Sequence, residues 1–297
     1  MLIALVVPLG LAIVLFAVFL VRAVLARNAI PTTESVLLGA VTNFFDTLGI
    51  GSFAPTTAWL KFRNLVPDRL IPPTMLVGHG LPTMAQGVIF LILLGVKVDP
   101  ILLVGCTISV LMGGLLGAPL VARTRVWLVQ LVVAIALLAA AAAYMLTNLH
   151  MMPGGGTASS LPMTLTVAAI AANFIFGVLL NFGVGNYAPT LVMLSLMGMD
   201  PRLCFPIMAA GASLTVAGAG ARHITMGEID FRIVAGMAIG GIPAVLVAAF
   251  IVKSMSLETL RWLVTGVVMY AAVVMLRSSW SGQRTHKAAA LATLPIV

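Results

Sequence analysis

The chain has 297 residues, of which 61% are hydrophobic and only 8% charged. A soluble domain carries roughly 25% charged residues, so this composition cannot cover a water-facing surface and excludes a soluble enzyme or binding module. The net charge of +8 would suggest nucleic acid in a soluble protein, but here the cations stand singly at the ends of apolar stretches, so no nucleic-acid partner is expected. The partner is the lipid bilayer. Apolar runs of about 20 residues are long enough to span it as helices, and the short alternating segments of a β-barrel are absent. Cys106 and Cys204 lie in apolar segments and read as small packing residues. No Cys/His spacing marks a zinc or haem site, so neither metal nor cofactor is expected.

In chain order, the first apolar stretch runs from Leu2 to about Leu25 with no basic residue before it and no clear cleavage site after it. It is too long for a signal h-region and reads as a membrane helix within residues 1–30. Plain spans follow at about 73–95, 98–121 and 124–147, then at 202–221, 231–252 and 257–277. The stretches at about 34–62 and 161–198 differ. Each is interrupted by glycines and a proline, Gly49-Ile-Gly51-Ser-Phe-Ala-Pro55-Thr56 and Gly183-Val-Gly185-Asn-Tyr-Ala-Pro189-Thr190. Glycine permits turns that other residues resist, and proline starts a helix but does not continue one. Each stretch is therefore expected as two half-helices around an unwound turn, the second half-helix starting at Pro55 or Pro189.

The two interruptions are copies. At an offset of 134, Gly49, Gly51, Ala54, Pro55 and Thr56 fall on Gly183, Gly185, Ala188, Pro189 and Thr190. The chain divides into an N-terminal helix (1–30), repeat 1 (31–149), a Gly-rich linker (150–160), repeat 2 (161–278) and a mobile, cytoplasmic tail (279–297). If each broken segment is a re-entrant hairpin, 12 cations fall on one side, among them Arg22, Arg27, Arg63, Arg232 and Arg284, and 4 on the other: Lys97, Arg202, Lys253 and Arg261. If each broken segment spans, the split is 8 to 8. The positive-inside rule prefers hairpins, with the N-terminus outside and the C-terminus in the cytoplasm. Three crossings per repeat then invert the second repeat. The fold class is an all-α polytopic membrane protein: an N-terminal helix plus two inverted-topology repeats, each a hairpin and three spans. That is a transporter architecture.

Irregular backbone at membrane depth is tolerated where it is buried or lines a wet cavity. Ala54 and Ala188 have no side-chain oxygen for capping, so the amides of Thr56, Thr57, Thr190 and Leu191 are expected to remain free. Two facing helix N-termini would make a donor-rich pocket for a small oxyanion. The substrate-binding set is Gly49, Gly51, Ser52, Thr56, Thr57, Asn181, Gly183, Gly185, Asn186, Tyr187 and Thr190. Asp46 is the one acid at membrane depth, either a coupling carboxylate for protons or a cap of the hairpin. His79 lies deep in an apolar span, with Gln86 seven residues on and Thr83 between them, a possible proton relay. Ser213 corresponds to His79 in repeat 2. Arg202 and Lys253 stand where they could draw anions to the outer mouth. Gly113-x-x-x-Gly117 and Gly236-x-x-x-Gly240 are expected to pack helices within the protomer, with a homodimer as their other use.

On Asn43-Phe-Phe-Asp46-Thr-Leu-Gly49-Ile-Gly51-Ser-Phe-Ala-Pro55 and Asn181-Phe-Gly183-Val-Gly185-Asn-Tyr-Ala-Pro189, the chain resembles the TauE/SafE family of membrane permeases, also called sulfite exporters. The resemblance implies export of sulfite or a small organosulfonate such as sulfoacetate across the bacterial inner membrane. Many members carry three or four consecutive glycines before the proline, where this chain has Gly-x-Gly followed by Ser or Asn. Two other classes are a passive anion channel and an intramembrane serine hydrolase using Ser52 with His79 as base. No phosphate-binding loop for ATP is present.

Overall fold

The computed structural model describes residues 2–67, 70–94, 97–121, 124–149, 151, 156–180 and 185–292. Among these the chain forms helices and no strand: α1 (Leu2–Ala26), α2 (Thr33–Thr47), α3 (Phe53–Phe62), α4 (Ile71–Gly78), α5 (Gly80–Leu93), α6 (Pro100–Val121), α7 (Val126–Asn148), α8 (Met163–Leu180), α9 (Tyr187–Leu196), α10 (Pro201–Met226), α11 (Phe231–Ser254) and α12 (Leu257–Ala292). Seven stretches, in α1, α4–α5, α6, α8, α10, α11 and α12, are long and apolar enough to cross a membrane.

Acids mark helix starts, as a side-chain oxygen facing free amides should. Asp99 accepts from the Leu102 amide, Asp200 from Arg202, and Asp230 from Arg232 and Ile233. Thr32 and Ser35 close a capping box at α2. The span expected at 73–95 is two helices, α4 and α5, with a turn at His79. Pro82 has no N–H to give the Gly78 carbonyl, which removes one rung of the ladder there. The tail expected to be mobile from Ser278 instead continues α12 to Ala292. Its first polar residues are held: Ser278 donates to Gln130 and Ser279 to the Trp127 carbonyl of α7.

Contacts tie the ends of the broken segments to neighbouring helix ends. At the end of α3, Arg63 donates to Glu34 in the first turn of α2 at 2.9 Å, and Trp59 donates to the same carboxylate at 3.0 Å. The Arg63 guanidinium holds the Glu34 carboxyl below its ordinary range. The starts of α4 and α11 lie at this end too, since the Asp230 amide donates to Thr74 and Arg27 stacks on Phe231. At the second segment, Ala158 exchanges backbone bonds with Gly198 and Asp200, on either side of Met199. That end also holds the start of α6, through Asp99 to Ser159, and the junction of α7 with α12, through Asn148 to Thr265.

Glycines let the helices approach closely. Gly39 faces the Met237 backbone, Gly236 faces Ser35, and Gly240 faces the Val36 carbonyl, which locks α2 onto α11. Gly113 faces the Phe174 carbonyl and Gly177 the Val110 carbonyl, which locks α6 onto α8. The small-xxx-small residues Gly113, Gly236 and Gly240 thus pack within the protomer. α5 and α10 pair at the centre, where Ser213 donates to the Thr83 carbonyl at 2.9 Å. Phe16 of α1 wedges against Gly80 and Gly220.

Candidate functional site

Each break presents an uncapped helix N-terminus. α3 begins at Phe53 and α9 at Tyr187, two residues before the prolines expected to start them. The Thr56 and Thr190 amides therefore donate to the Ser52 and Asn186 carbonyls at 3.1 Å, and the Thr57 and Leu191 amides lie within helical turns. The expectation that these four amides are free is corrected. The residues at the head of each helix are Phe53 and Ala54, or Tyr187 and Ala188, and Pro55 and Pro189 have no N–H. The N-cap residues Ser52 and Asn186 are good capping types, yet neither side chain makes the capping bond.

In the first break the buried Asp46 carboxylate at the end of α2 lies within electrostatic reach of the Ser52 hydroxyl and backbone N–H. Gly49 and Gly51 carry the turn with φ of +97° and +87°, where a side chain would be strained. A Cβ on Gly51 or on Gly185 would meet nothing within 4 Å, so open space lies beside both turns.

A buried chain of side chains ties α3 back to α2. Asn43 Nδ2 donates to the Gly39 carbonyl at 2.7 Å, so its Oδ1 must face His79. His79 Nδ1 lies 2.9 Å from that oxygen and therefore carries the proton. In the neutral ring Nε2 is then an acceptor, and the Thr56 hydroxyl donates to it at 3.0 Å. Both ring nitrogens of His79 thus have partners other than Ser52, and the nucleophile–base pair of the hydrolase reading is not formed. In the second break the corresponding link is direct: Thr190 donates to Asn173 Oδ1 at 3.2 Å, and Asn173 Nδ2 to the Ala169 carbonyl at 2.9 Å.

The third element is a set of buried polar atoms without hydrogen-bond partners: both amide atoms of Gln86, Asn186 Nδ2 and the Tyr187 hydroxyl. Gln86 is fully buried, Asn186 4% and Tyr187 9% exposed. The Tyr187 hydroxyl lies within electrostatic reach of the Gln86 amide, outside hydrogen-bond geometry, and is also within reach of the Asp46 charge. Gly49 lies 3.6 Å, measured from its Cβ position, from Leu191 of α9. Residues of both breaks and of α5 are therefore neighbours.

Of the expected site residues, Gly49, Ser52, Asp46, Gln86 and Tyr187 come into this neighbourhood, while Thr56 and Thr190 serve the asparagine links. Thr57 turns away, its hydroxyl 3.1 Å from Met75 Sδ. Asn181 and Gly183 lie outside the described residues. Arg202 is engaged near its own helix start, 3.7 Å from Asp200. Asn43 and Asn173 are missing from the expected set. Their signal was present, since each is an amide placed ten residues after the start of an apolar helix, at 33 and 163. Cys106 and Cys204 are buried free thiols in helix packing, as expected.

No curated protein matches the chain, and no solved structure matches it. A family model does: the one described as Sulfite exporter TauE/SafE matches residues 165–297, from the first turn of α8 to the end of the chain. Among the described residues seven stretches are long and apolar enough to span a bilayer, and over residues 165–297, which include the second break, the chain is similar to the Sulfite exporter TauE/SafE family.

Proposed function

We propose that the protein is a secondary transporter, an exporter of a small oxyanion such as sulfite or an organosulfonate, bound between the two breaks near the membrane midplane. The observation that carries this reading is the convergence of unpartnered buried polar atoms from α5 and α9 beside two uncapped helix N-termini. Buried polar groups are nearly always satisfied, so an unsatisfied cluster argues for a group that comes and goes. Helix N-termini supply donors and a positive dipole end to an anion. The family match over residues 165–297 supports the class of cargo.

The domain plan extends the reading. Residues 31–149 and 161–278 are two inverted repeats, each opening on a re-entrant hairpin, joined by the 150–160 linker. Two contacts support it, Arg63 with Glu34 at one hairpin and Ala158 with Gly198 at the other, and they sit with opposite sets of helix ends. α9 begins 134 residues after α3, and both run ten residues. The cations group with this plan in an inner membrane with the N-terminus outside. Asp46, beside Tyr187, is the coupling carboxylate for protons, with His79 and Gln86 lining the route.

The test is ligand stabilisation of the purified protein with sulfite, sulfate, thiosulfate and small sulfonates, followed by flux in proteoliposomes. A ligand that binds only the folded state raises the melting temperature. Stabilisation by at least one of these anions, with saturable flux that needs an ion gradient, is the expected result. Flux that is unsaturable and gradient-independent would make the protein a channel.

A further inference from the structure

The polar atoms left open at the breaks also say which charge state the site prefers. Gln86 presents an unpaired donor, Nε2, and an unpaired acceptor, Oε1, while Asn186 adds a donor and Tyr187 a hydroxyl that can do either. A fully deprotonated oxyanion offers only acceptors, so it would leave Gln86 Oε1 buried and unmatched. The segments that form the breaks supply no cation. No Lys or Arg occurs in residues 28–60, 70–96 or 126–201, which hold both breaks and Gln86. A negative formal charge stands nearby, since Asp46 lies within reach of Tyr187. Two partial positive helix ends and neutral donors can offset one negative charge far better than two in a low-dielectric site.

Building on the transporter reading above, we infer that the site selects a monoanion that keeps an O–H, of the hydrogensulfite type, over a dianion such as sulfate, with Gln86 Oε1 accepting a hydrogen bond from the ligand's O–H. Methanesulfonate, a monoanion without an O–H, satisfies the charge requirement but not the acceptor, so it binds more weakly. The ligand's own proton, rather than an added cation, keeps the translocated species singly charged. Transport of this species carries the ligand's own proton with each anion, in addition to the proton proposed for Asp46.

The experiment measures the affinity of purified full-length protein for total sulfite, methanesulfonate and sulfate across the range in which hydrogensulfite loses its proton. The groups facing the site that could titrate are Asp46 of α2, His79 between α4 and α5, and Tyr187 of α9, with Cys106 of α6 and Cys204 of α10 packed farther off. Methanesulfonate keeps one charge throughout and reports their effect, so the sulfite-to-methanesulfonate ratio isolates the ligand proton. That ratio should fall by about tenfold per pH unit above the ligand's pKa, with sulfate binding at least tenfold more weakly than hydrogensulfite. Gln86→Met keeps the volume and removes both amide atoms. It should cut the preference for hydrogensulfite over methanesulfonate by about tenfold and leave ligand-free stability equal or higher. A ratio flat with pH, or sulfate binding as tightly as hydrogensulfite, overturns the monoanion inference and leaves the oxyanion site standing. Failure of all three anions to bind the folded protein overturns the oxyanion site itself.

Discussion

Thr56 and Thr190 stand at the fourth position of α3 and α9, 134 residues apart, and each hydroxyl is tied to a buried asparagine of the helix before its break. Thr190 reaches Asn173 directly, while Thr56 reaches Asn43 through the His79 ring. The same fastening, a returning helix pinned to the helix it left, is thus made with a titratable group in one half and without one in the other.

The first prediction concerns this fastening. His79→Leu leaves Asn43 Oδ1 and the Thr56 hydroxyl buried without partners, and each stranded group costs about 1–3 kcal/mol. Thermal unfolding in detergent should show a clear drop in melting temperature. The double variant Asn43→Ala/Thr56→Val, which removes both partners, should lose much of the sensitivity to His79 replacement. Equal losses from His79→Leu in both backgrounds would show that the three side chains are not coupled.

A second prediction separates the two glycine turns. Gly51 sits at φ +87°, so Gly51→Val strains the backbone as well as filling the open space beside it, and it should lose both stability and transport. Gly185 also has open space at its Cβ position. Gly185→Val should fold with near-normal melting temperature yet lose transport, because the new side chain fills the open space beside the turn proposed to hold the substrate. Normal flux through Gly185→Val would remove that turn from the pathway.

For Asp46 two roles compete in one side chain. Its carboxylate faces the Ser52 hydroxyl and amide N–H, donors from which an asparagine Oδ1 can also accept. Asp46→Asn should therefore keep most of the stability while losing proton-coupled accumulation, whereas Asp46→Leu should lose both. Proton flux measured with substrate flux in proteoliposomes decides the matter. An unchanged ratio in folded Asp46→Asn would make Asp46 a hairpin cap alone.

Topology gives the fourth prediction. Both native cysteines are buried, so background labelling is low. Thr157→Cys and Thr285→Cys should be labelled from opposite faces of the membrane, with position 157 outside and position 285 in the cytoplasm. Labelling of both from one face would remove the hairpins and with them the inversion of the second repeat.

Composition and local stereochemistry made a good part of this readable in the sequence. Membrane residence follows from 8% charged residues, and the two breaks follow from Gly-x-Gly ahead of proline, since both are properties of short segments. The acids at helix starts and the match of α3 with α9 are local in the same sense. What the sequence could not decide is which polar groups meet. Asn43 and Asn173 look alike along the chain, but one faces a histidine and the other a threonine, because helix rotation and crossing set the neighbours. Those are set by close contacts such as Gly39 on Met237 and Gly177 on Val110, between helices far apart in the chain. Even the free amides moved: Ser52 and Asn186 adopt helical φ/ψ, so the helices start two residues before their prolines and the Thr56 and Thr190 amides are used within the helix. The sequence by itself determined that two helix N-termini would be exposed by breaks. Only the tertiary structure decided that Gln86 and Tyr187 would stand beside them unpaired, because that depends on how α5 and α9 are brought together by the packing of the helices around them.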